Sequence, residues 1–239
     1  MTVQNTTVEY FDQKTCLEGF LAYDDQLSLP LPAVLIAHAW AGRDPFACDK
    51  ANQLARLGYA AFALDLYGKG VLGSSIEENS ALMSPFMKDR ALLQRRMTLS
   101  LETLRKQQPV DPDRVAAMGF CFGGLCVLDL ARTGADLRGV VSFHGLLGAP
   151  GNTRGNAIKA KVLVLHGHDD PMVPAEDIRL LQEELSQYGS DWQMHVYGNT
   201  LHAFTNPLAN DPGFGTVYEP RADRRSWQTM RSFFEECFE

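Results

Sequence analysis

The sequence predicts an α/β fold, a mostly parallel sheet of about eight strands with helices on both faces. Three observations predict it. Short apolar runs alternate along the chain with longer amphipathic stretches. Several runs, such as Ala33-Val34-Leu35-Ile36-Ala37, are apolar at every position, the mark of a strand buried on both faces. No Pro- or Gly-rich linker and no internal repeat divides the 239 residues, so one domain over 1–239 is expected.

Each element has its own reason. Val8–Phe11 and Leu17–Tyr23 read as two strands joined by a turn at Asp12-Gln13-Lys14, expected as an antiparallel edge. Ala33–Ala37 is the buried strand already named. Asp44–Leu57 reads as a helix, with Phe46, Ala51, Leu54 and Ala55 on one side and Gly58 at its end. Tyr59–Leu66 is strand-like, and Gly68–Ser75 is a Gly/Ser-rich loop. Pro85–Arg105 carries Leu92, Leu93, Met97, Leu101 and Leu104 at helical spacing. Val115–Gly119 is a short strand, and Gly123–Arg132 a helix. Gly139–Phe143 and Lys161–Leu165 are further buried strands. Ala175–Tyr188 is an amphipathic helix, Trp192–Tyr197 a strand and Arg221–Phe238 a final helix.

Composition narrows the function classes. Apolar residues make up 45%, enough for a full core and too many for a disordered chain. The formal net charge of −7 argues against a general nucleic-acid binder. The first residues, Met1 to Thr7, have neither a basic start nor an apolar run, and no stretch is apolar enough to span a bilayer. The 5 cysteines (Cys16, Cys48, Cys121, Cys126, Cys237) are odd in number, scattered and free of any C-x-x-C pair. A disulfide framework and a zinc ribbon are therefore excluded, and a reduced, cytoplasmic protein is expected.

In sheets of this kind ligands bind at the carboxyl ends of the strands. After Val115–Met118 comes Gly119-Phe120-Cys121-Phe122-Gly123-Gly124, a strand, a tight turn and a helix with a cysteine at the apex. This is the nucleophile-elbow pattern with sulfur in place of oxygen. Glycines flank the apex because side chains there would clash, and the helix N-terminus favours a thiolate. After Lys161–Leu165 comes His166-Gly167-His168-Asp169-Asp170-Pro171. Asp170 is the candidate acid, since it opens the turn ahead of the next helix; Asp169 is the alternative, and His166 and His168 are read as structural. After Trp192–Tyr197 comes His202, the candidate base, while His195 and His144 are read as structural. The order Cys121, Asp170, His202 is the nucleophile, acid, histidine order of the α/β-hydrolases. Two N–H donors for an oxyanion are expected from Phe122, next to the nucleophile, and from Trp40, in the loop after Ala33–Ala37.

These pieces together resemble the dienelactone hydrolase family. The matching segments are H-A-W-A-G at 38–42, Asp65-Leu66-Tyr67, G-F-C-F-G-G at 119–124, H-G-H-D-D-P at 166–171 and H-A-F at 202–204. The resemblance implies a three-layer α/β-hydrolase fold in a single domain with no large cap domain. It implies a cytoplasmic ester or lactone hydrolase that needs no metal and no organic cofactor. Residue by residue it implies Cys121 as nucleophile, Asp170 as acid, His202 as base, and Trp40 and Phe122 as oxyanion hole. Where archetypal members have a glutamate that controls the thiol, this chain has Ala39. Where they hold a substrate carboxylate with two arginines, it has Lys69 and Asn206. The substrate expected is a small, neutral or weakly polar ester, bordered by Lys69, Ala39, Asn206 and Phe204; Phe46, Phe120 and Phe122 are further candidate walls.

The expected chemistry runs through a covalent acyl-enzyme on Cys121. Two alternatives stand beside it: the same site acting on phosphotriesters, and a cysteine redox sensor pairing Cys121 with Cys126. Neither nucleic acid nor membrane is an expected partner, and the protein is expected to be a monomer or homodimer.

Overall fold

Buried apolar runs become strands and amphipathic stretches become helices in the computed structural model, which describes residues 2–239. The fold is α/β, with eight long and mostly parallel strands and helices between them. The chain divides into two compact units, residues 2–118 and Gly119–Glu239, and β5 runs through the boundary.

The first unit contains β1 (Val3–Asp12), β2 (Thr15–Asp24), β3 (Leu31–Ala37), α1 (Pro45–Ala55), β4 (Ala60–Ala63), α2 (Ile76–Lys88), α3 (Arg90–Arg105) and most of β5 (Val110–Phe120). Its strand order is β1-β2-β4-β3-β5. β1 and β2 pair antiparallel from Val3 opposite Asp24 to Asp12 opposite Thr15. β1 starts earlier than its apolar residues indicate because Gln4-Asn5-Thr6-Thr7 lie on an exposed outer strand, where polarity is tolerated. β2 pairs antiparallel with β4, and β4 pairs parallel with β3. β4 ends at Ala63 although the apolar run goes on to Leu66, because Asp65 folds the chain back on itself. The Asp65 carboxylate accepts the N–H groups of Tyr67 at 2.8 Å, Gly68 at 3.0 Å and Glu18 at 3.1 Å.

The stretch read as a loop followed by one helix from Pro85 is two helices. Ser75 caps α2, its hydroxyl accepting from Glu78 N–H at 3.2 Å, and the Glu78 carboxylate accepts from Ser74 N–H at 2.8 Å. Pro85 lies inside α2 and does not start a helix. Asp89 separates the two helices and caps α3, accepting from Leu92 N–H at 3.0 Å. α3 is fixed to the end of β1 by Arg95 and Arg96, whose guanidiniums both reach the buried Asp12 carboxylate at 2.8–3.0 Å.

The second unit holds the end of β5, then α4 (Phe122–Arg132), β6 (Gly139–Phe143), β7 (Lys161–Gly167), α5 (Ala175–Gln187), β8 (Trp192–Tyr197), the short strands β9 (Asn210–Asp211) and β10 (Thr216–Val217), and α6 (Pro220–Phe238). β6, β7 and β8 pair parallel in that order. Every residue of α4 is buried. Among the described residues no helix is long and apolar enough to cross a membrane.

A buried charge group fixes α4 within this unit. Arg132 bonds Glu184 at 2.7–3.2 Å, Asp129 at 3.2 Å and the Leu147 carbonyl at 3.0 Å, with its side chain 2% exposed and that of Asp129 0%. Removing one partner of a buried charge group leaves the other uncompensated. Arg132→Leu is expected to lower unfolding stability by about 3–5 kcal/mol, read from urea denaturation; a change under about 1 kcal/mol would show the group to be solvent-compensated.

Candidate active site

One residue separates β5 from α4, and it is Cys121. Its backbone has φ +55° and ψ −118°, a left-handed conformation that costs a non-glycine residue about 1–3 kcal/mol. The turn is tight enough that a Cβ on Gly119 would lie 2.0 Å from the Gly123 carbonyl oxygen. The half-buried thiol therefore stands at the N-terminus of α4, where the helix dipole favours negative charge. The Cys121 N–H is shared between the Phe143 carbonyl at 3.0 Å and the His144 Nδ1 at 3.2 Å. Phe122 opens α4, so its N–H points out of the same helix end.

Of the two neighbouring acids, Asp170 is buried and bonds His202, whereas Asp169 is exposed. The His202 Nδ1–H donates to Asp170 Oδ2 at 2.7 Å, with the two side chains 1% and 0% exposed. The other Asp170 oxygen accepts from Met172 N–H at 2.9 Å, which closes the turn expected at Asp170-Pro171.

Burial pushes the His202 ring towards its neutral form, but the charge of Cys121 and the bond to Asp170 outweigh it. The net effect raises its pKa to about 10. Nε2, the nitrogen not held by Asp170, has no hydrogen-bond partner of ordinary geometry among the described residues. The Cys121 charge acts on the ring nonetheless, and contacts between a nucleophile and its base commonly shorten only with substrate bound.

The segment 206–220, whose conformation the sequence does not disclose, frames the histidine. The His202 N–H donates to the Gly215 carbonyl at 3.0 Å, and its carbonyl accepts from Val217 N–H at 3.1 Å. Glu219 N–H bonds the Phe204 carbonyl at 3.2 Å. Gly215 has φ +85°, and a Cβ there would lie 2.3 Å from the Pro171 ring, so the segment also rests on the turn that carries Asp170.

The other candidate residues have the following surroundings. Phe204 is fully buried and packs edge-on against the rings of His144 and Tyr197; its place is under the histidines, not in contact with solvent. Phe120 and Phe122 are likewise fully buried. Asn206 is half-buried, its side-chain oxygen accepting from Leu208 N–H at 3.0 Å. In the first unit, the Lys69 ammonium pairs with Glu9 and, at 3.4 Å, with Glu18. Also there, His38 donates from Nδ1 to the Ala39 carbonyl at 2.6 Å while its Nε2 accepts from Leu66 N–H at 3.2 Å. In a planar trans peptide that carbonyl and the Trp40 N–H point in opposite directions, so this bond fixes where the Trp40 N–H aims. His168 and His195 are exposed; His166 is buried, and burial lowers its pKa. The tie between His144 and the Cys121 backbone has one signal in the sequence, the place of His144 at the carboxyl end of β6.

The family model described as the dienelactone hydrolase family matches residues 17–238. Two solved structures superpose over 99% of both chains with TM-score 0.94. The first is m3DLH, at 40% identity, and the second a dienelactone hydrolase-like promiscuous phosphotriesterase from metagenomic libraries, at 38%. A putative carboxymethylenebutenolidase of Yersinia pestis is 26% identical over 91% of this chain and 83% of its own.

The charge coupling has a direct readout. The His202 ring is expected to titrate near pH 10 by NMR and to titrate lower in Cys121→Ala, which removes the charge that raises it. The raised pKa stabilises the fold fully below the unfolded value near 6.5, and that contribution is lost as pH rises through 10. An unchanged midpoint in Cys121→Ala would show that the thiol charge is not felt at His202.

Proposed function

The chain belongs to the dienelactone hydrolase family and is a hydrolase, and on that premise we propose that it cleaves small neutral carboxylic esters or lactones through Cys121, His202 and Asp170. The observation that carries the reading is the buried His202, bonded to Asp170 on one side and under the charge of Cys121 on the other.

In the proposed cycle Cys121 and His202 rest as thiolate and imidazolium. The thiolate sulfur attacks the ester carbonyl carbon, and the oxyanion is held by N–H donors. Phe122 supplies one donor from the first turn of α4, and the Trp40 N–H is the second donor that the family resemblance implies. The tetrahedral intermediate collapses, the C–O bond breaks, and the alcohol leaves with the proton from His202 Nε2. The thioester sulfur is now neutral, so the charge that had raised the His202 pKa is gone. The ring stays neutral and can take a proton from water, whose oxygen attacks the thioester. The product leaves as the carboxylic acid and loses its remaining proton to solvent, and thiolate and imidazolium are restored. One histidine is thus an acid before the acyl-enzyme and a base after it.

Neutral substrates are favoured because cationic anchors are few. Lys69 is engaged by two carboxylates, which a substrate carboxylate would have to displace, and Asn206 carries no charge. A second reading, phosphotriester cleavage at the same site, is supported by the relative of 38% identity named as a promiscuous phosphotriesterase. Its P=O group would use the same N–H donors. For the redox-sensor alternative, Cys126 is fully buried in α4, out of reach of an oxidant.

Cys121→Ala is expected to lower kcat for an activated aryl ester by about a thousandfold or more, while the mass of an acyl group should appear on Cys121 of the unaltered protein during turnover. Near-normal turnover by the variant would overturn the reading. In a panel of matched size, neutral aryl esters and lactones are expected to exceed carboxylate-bearing ones in kcat/KM by about tenfold or more; the reverse order would place a functional cation at the site.

A further inference from the structure

We propose that His144 is a positioning residue of this site, a neutral imidazole protonated on Nε2 that holds the backbone of the nucleophile and sets the plane of the base. The inference rests on the hydrolase reading above for its consequence, and on the hydrogen bonds around His144 for its content.

His144 follows β6, has φ +38°, and is anchored by its own N–H to the Leu165 carbonyl at 2.8 Å. Its side chain is 2% exposed, and both ring nitrogens are engaged by protein groups. Its bonds assign its tautomer. A backbone amide can only donate, and the Cys121 N–H points at Nδ1 at 3.2 Å. Nδ1 must therefore carry a lone pair. The proton of the neutral ring then sits on Nε2 and is donated to the Thr205 hydroxyl oxygen at 2.8 Å. Thr205 lies on the loop that carries His202, three residues on, and is itself 1% exposed. One ring thus ties the elbow to the loop of the base.

The ring also meets His202 directly. The two imidazole centroids are 5.1 Å apart at 66°, an edge-to-face contact, and the Phe204 ring also meets His144 edge-on, at 5.0 Å and 79°. A second proton on His144 would break the Cys121 bond and set like charges side by side. A ring lacking Nδ1 would leave the strained Cys121 amide with the Phe143 carbonyl alone. Either change lets the elbow relax, and a sulfur displaced by a fraction of an ångström loses rate out of proportion to its movement.

The test has two arms. In ¹⁵N NMR of histidine-labelled protein at neutral pH, His144 should show a protonated Nε2 and an unprotonated Nδ1; protonation at Nδ1 overturns the proposal. In the second arm, His144→Phe keeps a ring without an acceptor, whereas His144→Asn restores an acceptor near the place of Nδ1. The Phe variant should lose about tenfold or more in kcat and in the rate of Cys121 alkylation by iodoacetamide, with KM nearly unchanged, and the Asn variant should recover most of the loss. Equal loss in both variants, or loss in neither, overturns the proposal. If His144→Phe does not fold, Thr205→Val, which frees the Nε2 proton from its acceptor, must lower both rates, and unchanged rates overturn it. The tautomer and the alkylation rate are read without substrate. An enzyme inactive on every ester would therefore defeat the hydrolase reading and still leave this inference decided.

Discussion

The bond from His202 Nδ1 to Asp170 is made where neither side chain meets water. A histidine so buried would ordinarily discharge, because its cation has lost its hydration. Here the carboxylate on one nitrogen and the thiol charge beyond the other reverse that tendency. Asp170 is a fixed partner, whereas in the proposed cycle the charge on Cys121 exists only until the sulfur is acylated. The fixed partner orients the ring, and the transient one makes its proton affinity follow the state of the nucleophile.

Much of the surrounding second unit serves that geometry. Backbone strain at Cys121 persists because β5, α4 and the close approach of Gly119 to Gly123 leave the chain no other path. The loop of His202 is held on both backbone faces by 215–217, which in turn rests on Pro171 beside the acid. A loop pinned in this way presents its histidine in one orientation, as a preorganised site requires. Arg132 and its carboxylates keep α4, and so its N-terminus, in place from the opposite end.

The sequence disclosed these features unevenly, for physical reasons. Strands buried on both faces, such as β3 and β7, announce themselves by unbroken apolar runs. The polar half of β1 does not, since an outer strand tolerates either character. α2 was hidden because its face is weakly buried, with only Phe86 fully inside; the capping residues Ser75 and Glu78 were its one local sign. Cys121, Asp170 and His202 could be singled out because strand ends and chain order restrict where chemistry can sit, and the structure bonds two of them to each other. His144 could not be, since a buried histidine looks the same in a sequence whether it fills a core or orients a neighbour. An aromatic residue near a strand end does not disclose its burial either: Phe120, Phe122 and Phe204 are all fully buried.

In the proposed cycle the charge on His202 follows the charge on Cys121. This dependence is tested most directly by ¹⁵N NMR of the ring at pH 8, before and after Cys121 is acylated by a slowly released aryl ester. The account predicts a ring protonated on both nitrogens at rest and a lone pair on Nε2 in the acyl-enzyme. A ring in the same protonation state before and after acylation would contradict it.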